Sequence, residues 1–225
     1  MKDEDFNFYP ICINLQKFPC LVVGGGKVAL RKVLSLQEFN ANITVISPNI
    51  CKPLIILSKE GKIKVIKKSY SKEFIKDYKI VFSATNNPEI NKSVYTDCAS
   101  EDILLNVVDD PSLCDFILPA NLKRGNLTIS ISSQGKAPFY VKEIKKKLSH
   151  IISPHYAEIT DLAGDFRKRL INNFKINSPK IKEKAFNKFL SIDWENILHK
   201  QGKEYSRRYL LKILKEFKII TRLFL

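Results

Sequence analysis

The sequence predicts an α/β protein with an open parallel sheet first, a small β/α segment next and a helical C-terminal domain last. Short apolar runs alternate with segments of helical periodicity through the first half of the chain, which is the pattern of a sheet with crossover helices. Two strand-like runs around a turn follow, and the remainder has helical periodicity. These changes of pattern place the expected domains at residues 1–113, 114–149 and 150–225.

The first predicted unit is a strand, a helix and a second strand. Cys20 to Val23 is an apolar run that stops at three glycines, as a buried strand does when it enters a turn. Apolar residues recur at helical spacing from Val28 to Phe39, and the β-branched run Ile43 to Ile46 ends at Ser47-Pro48. Tyr9 to Leu15, upstream, also has a strand-like pattern.

The next stretch predicts three further strands and one helix. Ile63 to Ile66, Lys79 to Ala84 and Ile103 to Val108 are the strand candidates, and Pro88 to Ser100 is a helix that begins at its proline. Strands that alternate with helices are joined by crossovers, which favours a parallel sheet.

The pattern changes after Pro111. Asp115 to Leu118 and Leu127 to Ser132 predict two strands around a turn at 123–126, and Pro138 opens an amphipathic, Lys-rich helix to Leu148.

From Ser153 onward the sequence predicts helices. Breaks are expected near Asn177-Ser178-Pro179 and at Gln201-Gly202. The last helix, Glu204 to Leu225, places a set of large side chains on one face, which predicts core packing. These are Tyr205, Tyr209, Ile213, Phe217 and Ile220.

The composition is that of a globular protein, since 44% of the 225 residues are hydrophobic and 27% are charged. No apolar run approaches the roughly 20 residues that a membrane span requires. The start, Met1 to Asp5, is acidic where a secretory signal is basic. Five cysteines without a C-x-x-C pair predict reduced thiols. We expect a cytoplasmic protein that does not enter a membrane.

The positive charge is concentrated near the C-terminus. The formal net charge is +15, and residues 142–225 carry 20 Lys and Arg against 9 Asp and Glu. Such a bias favours an anionic partner: a nucleic acid, an acidic membrane surface, or a small molecule with many carboxylates. The sequence has no zinc-finger or RNP motif, so we expect no nucleic-acid partner.

A glycine motif lies where the first strand turns into the first helix. Gly24, Gly26 and Ala29 satisfy G-x-G-x-x-G/A, which in this context indicates dinucleotide binding on a Rossmann-like domain. The glycines permit a tight turn and close approach of a pyrophosphate, and N–H groups near Lys27 and Val28 face the anion. A tight turn without a ligand is the alternative.

The second strand ends in Ser47-Pro48-Asn49, without the acidic residue that usually holds the ribose hydroxyls. Neutral Ser47 or Asn49 can still bind a ribose, and no Arg adjoins them to receive a 2′-phosphate. These residues favour NAD over NADP. Thr85 and Asn86, after another strand, are further candidate contacts, with a plain Asn-rich turn as the alternative.

Five segments, in order along residues 9 to about 170, resemble the precorrin-2 dehydrogenase/sirohydrochlorin ferrochelatase family of siroheme biosynthesis. They are Tyr9-Pro10-Ile11, Val22 to Ala29 with Arg31-Lys32, Ser83-Ala84-Thr85-Asn86, Asn106-Val107-Val108-Asp109-Asp110-Pro111, and Ser132-Ser133-Gln134-Gly135-Lys136-Ala137-Pro138. The likeness thins beyond Leu170.

The resemblance implies NAD-dependent oxidation of precorrin-2 to sirohydrochlorin, and in some members insertion of Fe²⁺ (or Co²⁺) to give siroheme. It also implies an intimate homodimer built partly from the middle β/α segment, and a helical domain that closes the cleft. The methyltransferase half fused to some relatives does not fit in 225 residues. A non-catalytic NAD-sensing module is the alternative function.

Asp109 and Asp110 follow the carboxyl end of a predicted buried strand, where a proton-accepting carboxylate would serve dehydrogenation or metal insertion. The residues alone do not choose between them, and either can cap the turn closed by Pro111. The family pattern assigns the role to Asp109.

Two further features are candidate substrate or metal contacts. Ser132, Ser133, Gly135 and Lys136 precede a predicted helix, which favours either an anion cradle for substrate carboxylates or a plain helix cap. His155 is a candidate iron ligand or proton shuttle, although a lone histidine is more often structural. A tetrapyrrole with many carboxylates fits the basic tail, whose cleft-side candidates are Lys142, Lys145, Lys146 and Arg167.

Overall fold

The computed structural model describes residues 7–173 and 178–223. The chain forms two compact units, Met1–Leu118 and Pro119–Leu225. This division differs from the three segments expected from the sequence. Residues 114–118 pack with the first unit, because the Asp115 carboxylate accepts a hydrogen bond from the Leu105 N–H at 2.8 Å. Residues 119–149 belong with the helices, where Asn126 donates to the Asp161 carboxylate at 2.9 Å.

The first unit is a five-stranded parallel sheet, as the alternating pattern predicts. Its strands are β1 (Cys20–Val23), β2 (Ile43–Ile46), β3 (Lys64–Ile66), β4 (Ile80–Ser83) and β5 (Leu104–Val107), in the order β3-β2-β1-β4-β5. The crossover helices are α1 (Lys27–Gln37), α2 (Lys52–Lys59) and α3 (Pro88–Ser100). The strand order reverses beside β1, so the carboxyl ends of β1 and β4 border the crevice of a Rossmann-like fold.

Each face of this sheet has its own core, because alternate residues of a strand point to opposite sides. Val22 and Phe82 belong to the face covered by α1 and α2. Leu21 and Leu105 belong to the face covered by α3. Strands β1 and β2 are buried on both faces and are therefore apolar except at Thr44.

The second unit begins with a hairpin and continues in helices. Strands β6 (Ala120–Arg124) and β7 (Leu127–Ile131) pair antiparallel around a two-residue turn. Helices α4 (Pro138–Ile151), α5 (Tyr156–Lys168), α6 (Pro179–Leu190) and α7 (Trp194–Leu223) follow, with a π-helical turn at Arg169–Asn173.

The helical core is built from aromatic and aliphatic side chains. Phe166 is buried against Phe189, whose ring centroid lies 5.2 Å away, and Trp194 stacks at 4.9 Å on the other side of Phe189. The predicted core residues Ile213 and Phe217 are buried here, and Tyr209 packs against the cluster, whereas Tyr205 is 43% exposed and was wrongly predicted as core. These contacts confirm a helical C-terminal region.

Helix α6 begins at Pro179 after an extended Ser178, in agreement with the break predicted there. At Gly202 the backbone of α7 is non-helical (φ 76°, ψ 179°), which confirms that break. Asn177 and the Ile220 side chain lie outside the described residues.

Two predicted strands are absent from the described residues, and one helix was not predicted. Tyr9 to Leu15 is not a strand, because its backbone pairs with no neighbouring strand among the described residues; Tyr9 and Ile11 are exposed, Tyr9 at 85%, and only Leu15 packs against the sheet core. Asp115 to Leu118 is not a strand either, and the hairpin begins at Ala120 instead. Helix α2 was not predicted, since its apolar residues 54–57 form a continuous run without helical periodicity.

Within residues 7–173 and 178–223, no helix combines the length and apolar character needed to cross a membrane. The same residues contain five unpaired cysteines, as predicted.

The cysteines should differ strongly in reactivity. Burial raises the pKa of the Cys20 thiol to about 11 and, with a smaller effect from nearby carboxylates, the pKa of Cys98 to about 12. Only the thiolate reacts, so at pH 8 roughly one Cys20 in a thousand is ionised. We expect iodoacetamide to modify exposed Cys12 in the native protein and to spare Cys20 and Cys98, as read by peptide mass spectrometry. Equal labelling of all three would contradict the burial described here.

Candidate active site

The turn after β1 is locked to the neighbouring strands. The Gly24 N–H donates to Ile46 O at 2.9 Å, and the Ala84 N–H donates to Val23 O at 2.8 Å. Gly24 has φ +121°, and a Cβ built there would lie 2.4 Å from Ala84 O. No other residue fits at this position without moving the backbone of β4, so the first glycine of the motif is required by the fold itself.

The third glycine of the turn has a different environment. A Cβ on Gly26 would meet no atom within 4 Å, so it faces open space. Gly26 is also the N-cap of α1 and has no side chain to cover the N–H groups of the first turn. A helix start with uncovered N–H groups beside open space is an anion site.

An open cleft of about 1350 Å³ lies at this turn and at the carboxyl ends of β1, β2 and β4. Of the ten predicted cofactor residues, eight line it. They are Gly24, Gly26, Lys27, Val28, Ser47, Asn49, Thr85 and Asn86.

The other two do not line the cleft. Ala29 is fully buried in the core beneath α1, in agreement with the packing role of that motif position. Pro48 lies between two lining residues without lining the cleft itself.

Ser47 and Asn49 form a compact turn at the end of β2. The Ser47 hydroxyl donates to Asn49 O at 2.9 Å and accepts from the Asn49 N–H at 3.4 Å. The Asn49 carbonyl is also close to the glycine turn, because a Cβ on Gly25 would lie 2.0 Å from it. Neutral groups therefore lie where dinucleotide-binding folds usually have an acidic residue that binds the ribose hydroxyls.

Thr85 and Asn87 shape the opposite wall. The Thr85 hydroxyl accepts from the Asn87 N–H at 3.1 Å, and the Asn87 side chain caps α3 by accepting from Glu89 N at 2.9 Å. Asn91 donates to Thr85 O at 3.3 Å and accepts from Ser83 at 2.7 Å. These bonds hold the wall rigid, and they give the Asn-rich turn a structural role.

Several lining residues were not singled out from the sequence. They are Gly25, Ile50, Cys51, Ala84, Asn87, Pro88 and Glu89. Ile50 and Cys51 were missed together with α2, which Cys51 precedes as its N-cap. The Asn-Pro pair at the start of α3 was the available signal for Asn87, since Asn is a preferred N-cap.

Asp109 and Asp110 lie beyond the carboxyl end of β5, next to β4, and the structure separates their roles. The Asp110 carboxylate accepts from Ser112 N at 3.2 Å and from the Ser112 hydroxyl at 2.6 Å, and so caps the turn Pro111–Leu113. Asp109 is exposed and has φ +67°, a left-handed conformation that is uncommon outside glycine. The turn is thus built by Asp110, while Asp109 projects from it.

A half-buried polar cluster lies at β5, the strand that precedes Asp109. Lys32 donates to the Asn106 amide oxygen at 3.0 Å. Burial lowers the pKa of Lys32, with a further lowering from Arg31 and an opposing effect from Cys114 and Asp109. Burial likewise raises the pKa of the Cys114 thiol, which donates toward Val107 O at 3.2 Å.

The predicted anion cradle belongs to the second unit. Ser132 Oγ accepts from Gln134 N at 3.0 Å, and Ser133 Oγ accepts from Ala137 N at 2.9 Å, just before α4. Gly135 has φ +84°, and Lys136 is exposed. Both hydroxyls support the loop, and each retains its O–H for another acceptor.

His155 precedes α5, and its ring lies 6.1 Å from that of His199. Both rings line a groove of about 320 Å³ together with Asp193, Glu195 and Asn196. Across the part of the chain that the structure describes, no group of three or more His, Cys, Asp or Glu side chains is arranged to hold a metal ion.

The cleft in the first unit fits NAD. A pyrophosphate fits at the uncovered start of α1, because the cleft is open there and space lies before Gly26. Riboses can bind the polar groups of Ser47, Asn49 and Thr85.

Known proteins support this assignment. Residues 11–120 match a family described as NAD(P)-binding. The siroheme synthase of Ruthia magnifica subsp. Calyptogena magnifica is 38% identical over 168 residues, which is 75% of this chain and 36% of that protein. The siroheme synthase of Zymomonas mobilis subsp. mobilis is 34% identical over 201 residues, covering 84% of this chain and 42% of the relative.

A solved structure named "SirC, precorrin-2 dehydrogenase" has the same fold, with a TM-score of 0.70 and 24% identity over 93% of this chain and all of that one. The chain spans less than half of the length of the two siroheme synthases. Sequence motifs, relatives and fold agree with one another. Over 168 residues the chain is similar to a siroheme synthase, and its fold is that of a solved precorrin-2 dehydrogenase.

Proposed function

We propose that this chain is an NAD-dependent precorrin-2 dehydrogenase of siroheme biosynthesis. The observation that carries the proposal is the arrangement at one edge of one sheet. The glycine turn after β1 opens onto a nucleotide-sized cleft, and Asp109 projects beyond the carboxyl end of β5 at the same edge. The names of the relatives give the pathway.

When bound, NAD supplies the hydride acceptor. The chain's part is to hold the dinucleotide: N–H groups at Lys27 and Val28 face its pyrophosphate, Gly26 leaves room for it, and Ser47 and Asn49 bind a ribose. Neutral hydrogen-bonding groups lie at the end of β2, and no Arg adjoins them to receive a 2′-phosphate, which gives the preference for NAD over NADP.

Asp109 accepts the proton in this proposal. Oxidation of precorrin-2 to sirohydrochlorin removes one hydride and one proton, and a carboxylate positioned at the substrate takes that proton. In metal insertion, Fe²⁺ or Co²⁺ as substrate displaces pyrrole protons, and the same carboxylate can accept one of them. Asp109 is available for this because Asp110, not Asp109, caps the adjoining turn.

Ser132, Ser133, Gly135 and Lys136 are the proposed substrate contacts in the second unit. Their support is the loop's geometry: two successive residues have positive φ, 54° at Gln134 and 84° at Gly135, and both serine hydroxyls remain able to donate. Acetate and propionate groups of a tetrapyrrole are suitable acceptors. His155 stays a candidate proton shuttle for chelation, since it shares a groove with His199.

An anaerobic assay tests the function. Precorrin-2 with NAD should yield NADH together with the sirohydrochlorin spectrum, and NADP should support a slower reaction. Fe²⁺ or Co²⁺ added afterwards then tests chelation. If the chain binds NAD tightly and forms no NADH with precorrin-2, the result would contradict the dehydrogenase and favour a non-catalytic NAD-sensing module.

We predict a homodimer in which residues 115–148 contribute to the interface. A two-stranded sheet is marginal alone, and β6 and β7 form one beside an α4 whose Phe139 and Tyr140 are 77% and 56% exposed. Pairing of two such segments would cover these rings. Sedimentation velocity at micromolar concentration should give the dimer mass for the wild type and a smaller species for Phe139→Asp/Tyr140→Asp. A monomeric wild type would contradict the prediction.

A further inference from the structure

Two of the three histidines of the chain lie side by side in the second unit. His155 precedes α5 and His199 lies on α7, and their ring centres are 6.1 Å apart at an interplanar angle of 76°. Both rings line the groove of about 320 Å³ described above. Its lining residues differ from those of the nucleotide cleft, so the histidine pair lies outside the cofactor site.

The core contacts of α7 determine which of its side chains line the groove. Trp194 and Leu198, four residues apart, are buried in the helical core, and the Trp194 indole N–H donates to Phe189 O at 2.9 Å. Glu195 and His199 come one position later and are again four residues apart, so they lie one above the other on the adjoining face. Burial of the first face therefore places a carboxylate and an imidazole together at the groove.

Helix α5 is joined to α7 beside this groove. Phe166 of α5 is buried in the core that α7 also lines. The Lys203 ammonium contacts the Glu158 carboxylate. These two residues follow His199 and His155 by four and three positions, so each lies one helical turn along from a histidine. The ion pair thus links the two helices next to the histidines and offsets the positive charge of Lys203.

The imidazole nitrogens of the pair are available to a ligand. Within the part of the chain that the structure describes, neither ring makes a hydrogen bond to another protein group, and His199 is exposed. Two carboxylates, of Asp193 and Glu195, line the same groove, and the first also caps α7 by accepting from Asn196 N at 3.0 Å. Their negative charge attracts a cation to the groove.

The spacing of the two rings suits one shared metal ion. A transition metal lies about 2.0–2.1 Å from an imidazole nitrogen, which lies about 1.1 Å from its own ring centre, so two rings on one ion have centres at most about 6.3 Å apart. The observed 6.1 Å is within this limit. Rotation of the exposed His199 ring brings the centres toward the spacing of about 5.2 Å that a tetrahedral angle requires.

We propose that His155 and His199 together bind one divalent first-row transition-metal ion. Imidazole suits Fe²⁺, Co²⁺, Ni²⁺ and Zn²⁺, whereas Mg²⁺ and Ca²⁺ prefer oxygen ligands. Over residues 7–173 and 178–223 no group of three or more ligating side chains is present, so two histidines hold the ion and water completes its coordination. The Fe²⁺ or Co²⁺ of chelation belongs to the class that this pair selects. The proposal goes beyond the dehydrogenase reaction and does not depend on it.

Anaerobic titration of the untagged protein with Co²⁺, without NAD or precorrin-2, tests the site. Calorimetry should show one ion bound per chain, and the visible absorption of the bound Co²⁺ should be that of nitrogen and oxygen ligands. Excess Mg²⁺ should not displace the Co²⁺, because it prefers oxygen ligands. A near-ultraviolet cobalt–thiolate band would overturn the proposal, since a cysteine would then be the ligand.

Single substitutions assign the ligands. His155→Ala and His199→Ala should each weaken Co²⁺ binding by about tenfold or more, since even the loss of a residue that only supports a ligand costs about 10- to 100-fold. Neither histidine is buried, so the Tm of both variants should stay near that of the wild type. His150→Ala is the matched control: it removes the third histidine, exposed on α4, and should leave Co²⁺ affinity unchanged.

The outcomes separate this proposal from the dehydrogenase. A wild-type chain that binds no Co²⁺ at millimolar concentration, or equal Co²⁺ affinity in His150→Ala, His155→Ala and His199→Ala, would overturn the metal site and leave the proposed function standing. A chain that forms no NADH from precorrin-2 and still binds Co²⁺ through the histidine pair would overturn the proposed function and leave the metal site standing.

Discussion

Replacing Asp109 with asparagine should lower kcat for precorrin-2 oxidation by about 10²- to 10⁴-fold, the usual cost of losing a positioned proton acceptor. Asparagine keeps the size and one acceptor oxygen of the carboxylate and cannot take up the proton. It also tolerates the left-handed φ of +67° found at this position. The fold and the affinity for NAD should therefore be unchanged, which calorimetric titration and thermal unfolding would check.

Asp110→Asn is the matched control for this prediction. Asp110 holds Ser112 through two hydrogen bonds, and an asparagine oxygen can still accept them, so kcat should change only slightly. If Asp110→Asn or His155→Ala is the crippled variant, and Asp109→Asn retains wild-type turnover, the proton acceptor has been placed on the wrong residue.

Replacing Gly26 with valine should weaken NAD binding by about 100-fold or more, equivalent to about 2.7 kcal/mol. Gly26 has φ −90° and ψ −165°, an extended conformation open to any residue, and its Cβ would meet no atom within 4 Å. The valine side chain would therefore occupy the cleft without disturbing the fold. Calorimetry gives the Kd, and an unchanged Tm shows that folding is intact.

Gly24→Ala provides the contrast within the same turn. Its Cβ would lie 2.4 Å from Ala84 O, and φ is +121°, so this variant should lose stability as well as NAD affinity. Unaltered NAD affinity in Gly26→Val would remove the glycine turn from the cofactor site.

The sheet was predictable because its information is local. All of its strands but β3 are short, mainly apolar and mostly buried runs, and buried parallel strands need little else. Tyr9 to Leu15 has the same local pattern, yet a strand also requires a partner, which local sequence does not supply. The hairpin start at Ala120 depended likewise on its pairing with Ile131.

The cofactor residues of the candidate site could be predicted where their place in a sequence motif fixes their place in the fold. Eight of ten cofactor residues line the cleft because they flank strand ends. The proposal that Asp109 rather than Asp110 accepts the proton rests on the bonds of Asp110 to Ser112, which the sequence does not show. The contact of Lys32 on α1 with Asn106 on β5 spans 74 residues of sequence, and local sequence does not indicate a contact between elements so far apart.

The most direct test of the central claim is the stoichiometry of one anaerobic turnover. Precorrin-2 is mixed with enzyme and NAD, and NADH absorbance and the sirohydrochlorin spectrum are recorded together. We expect NADH and sirohydrochlorin to appear at the same rate and in equal amounts. Gly26→Val and Asp109→Asn should each slow the formation of the two products to the same extent. Sirohydrochlorin formed without NADH, or no reaction with NAD saturating, would contradict it.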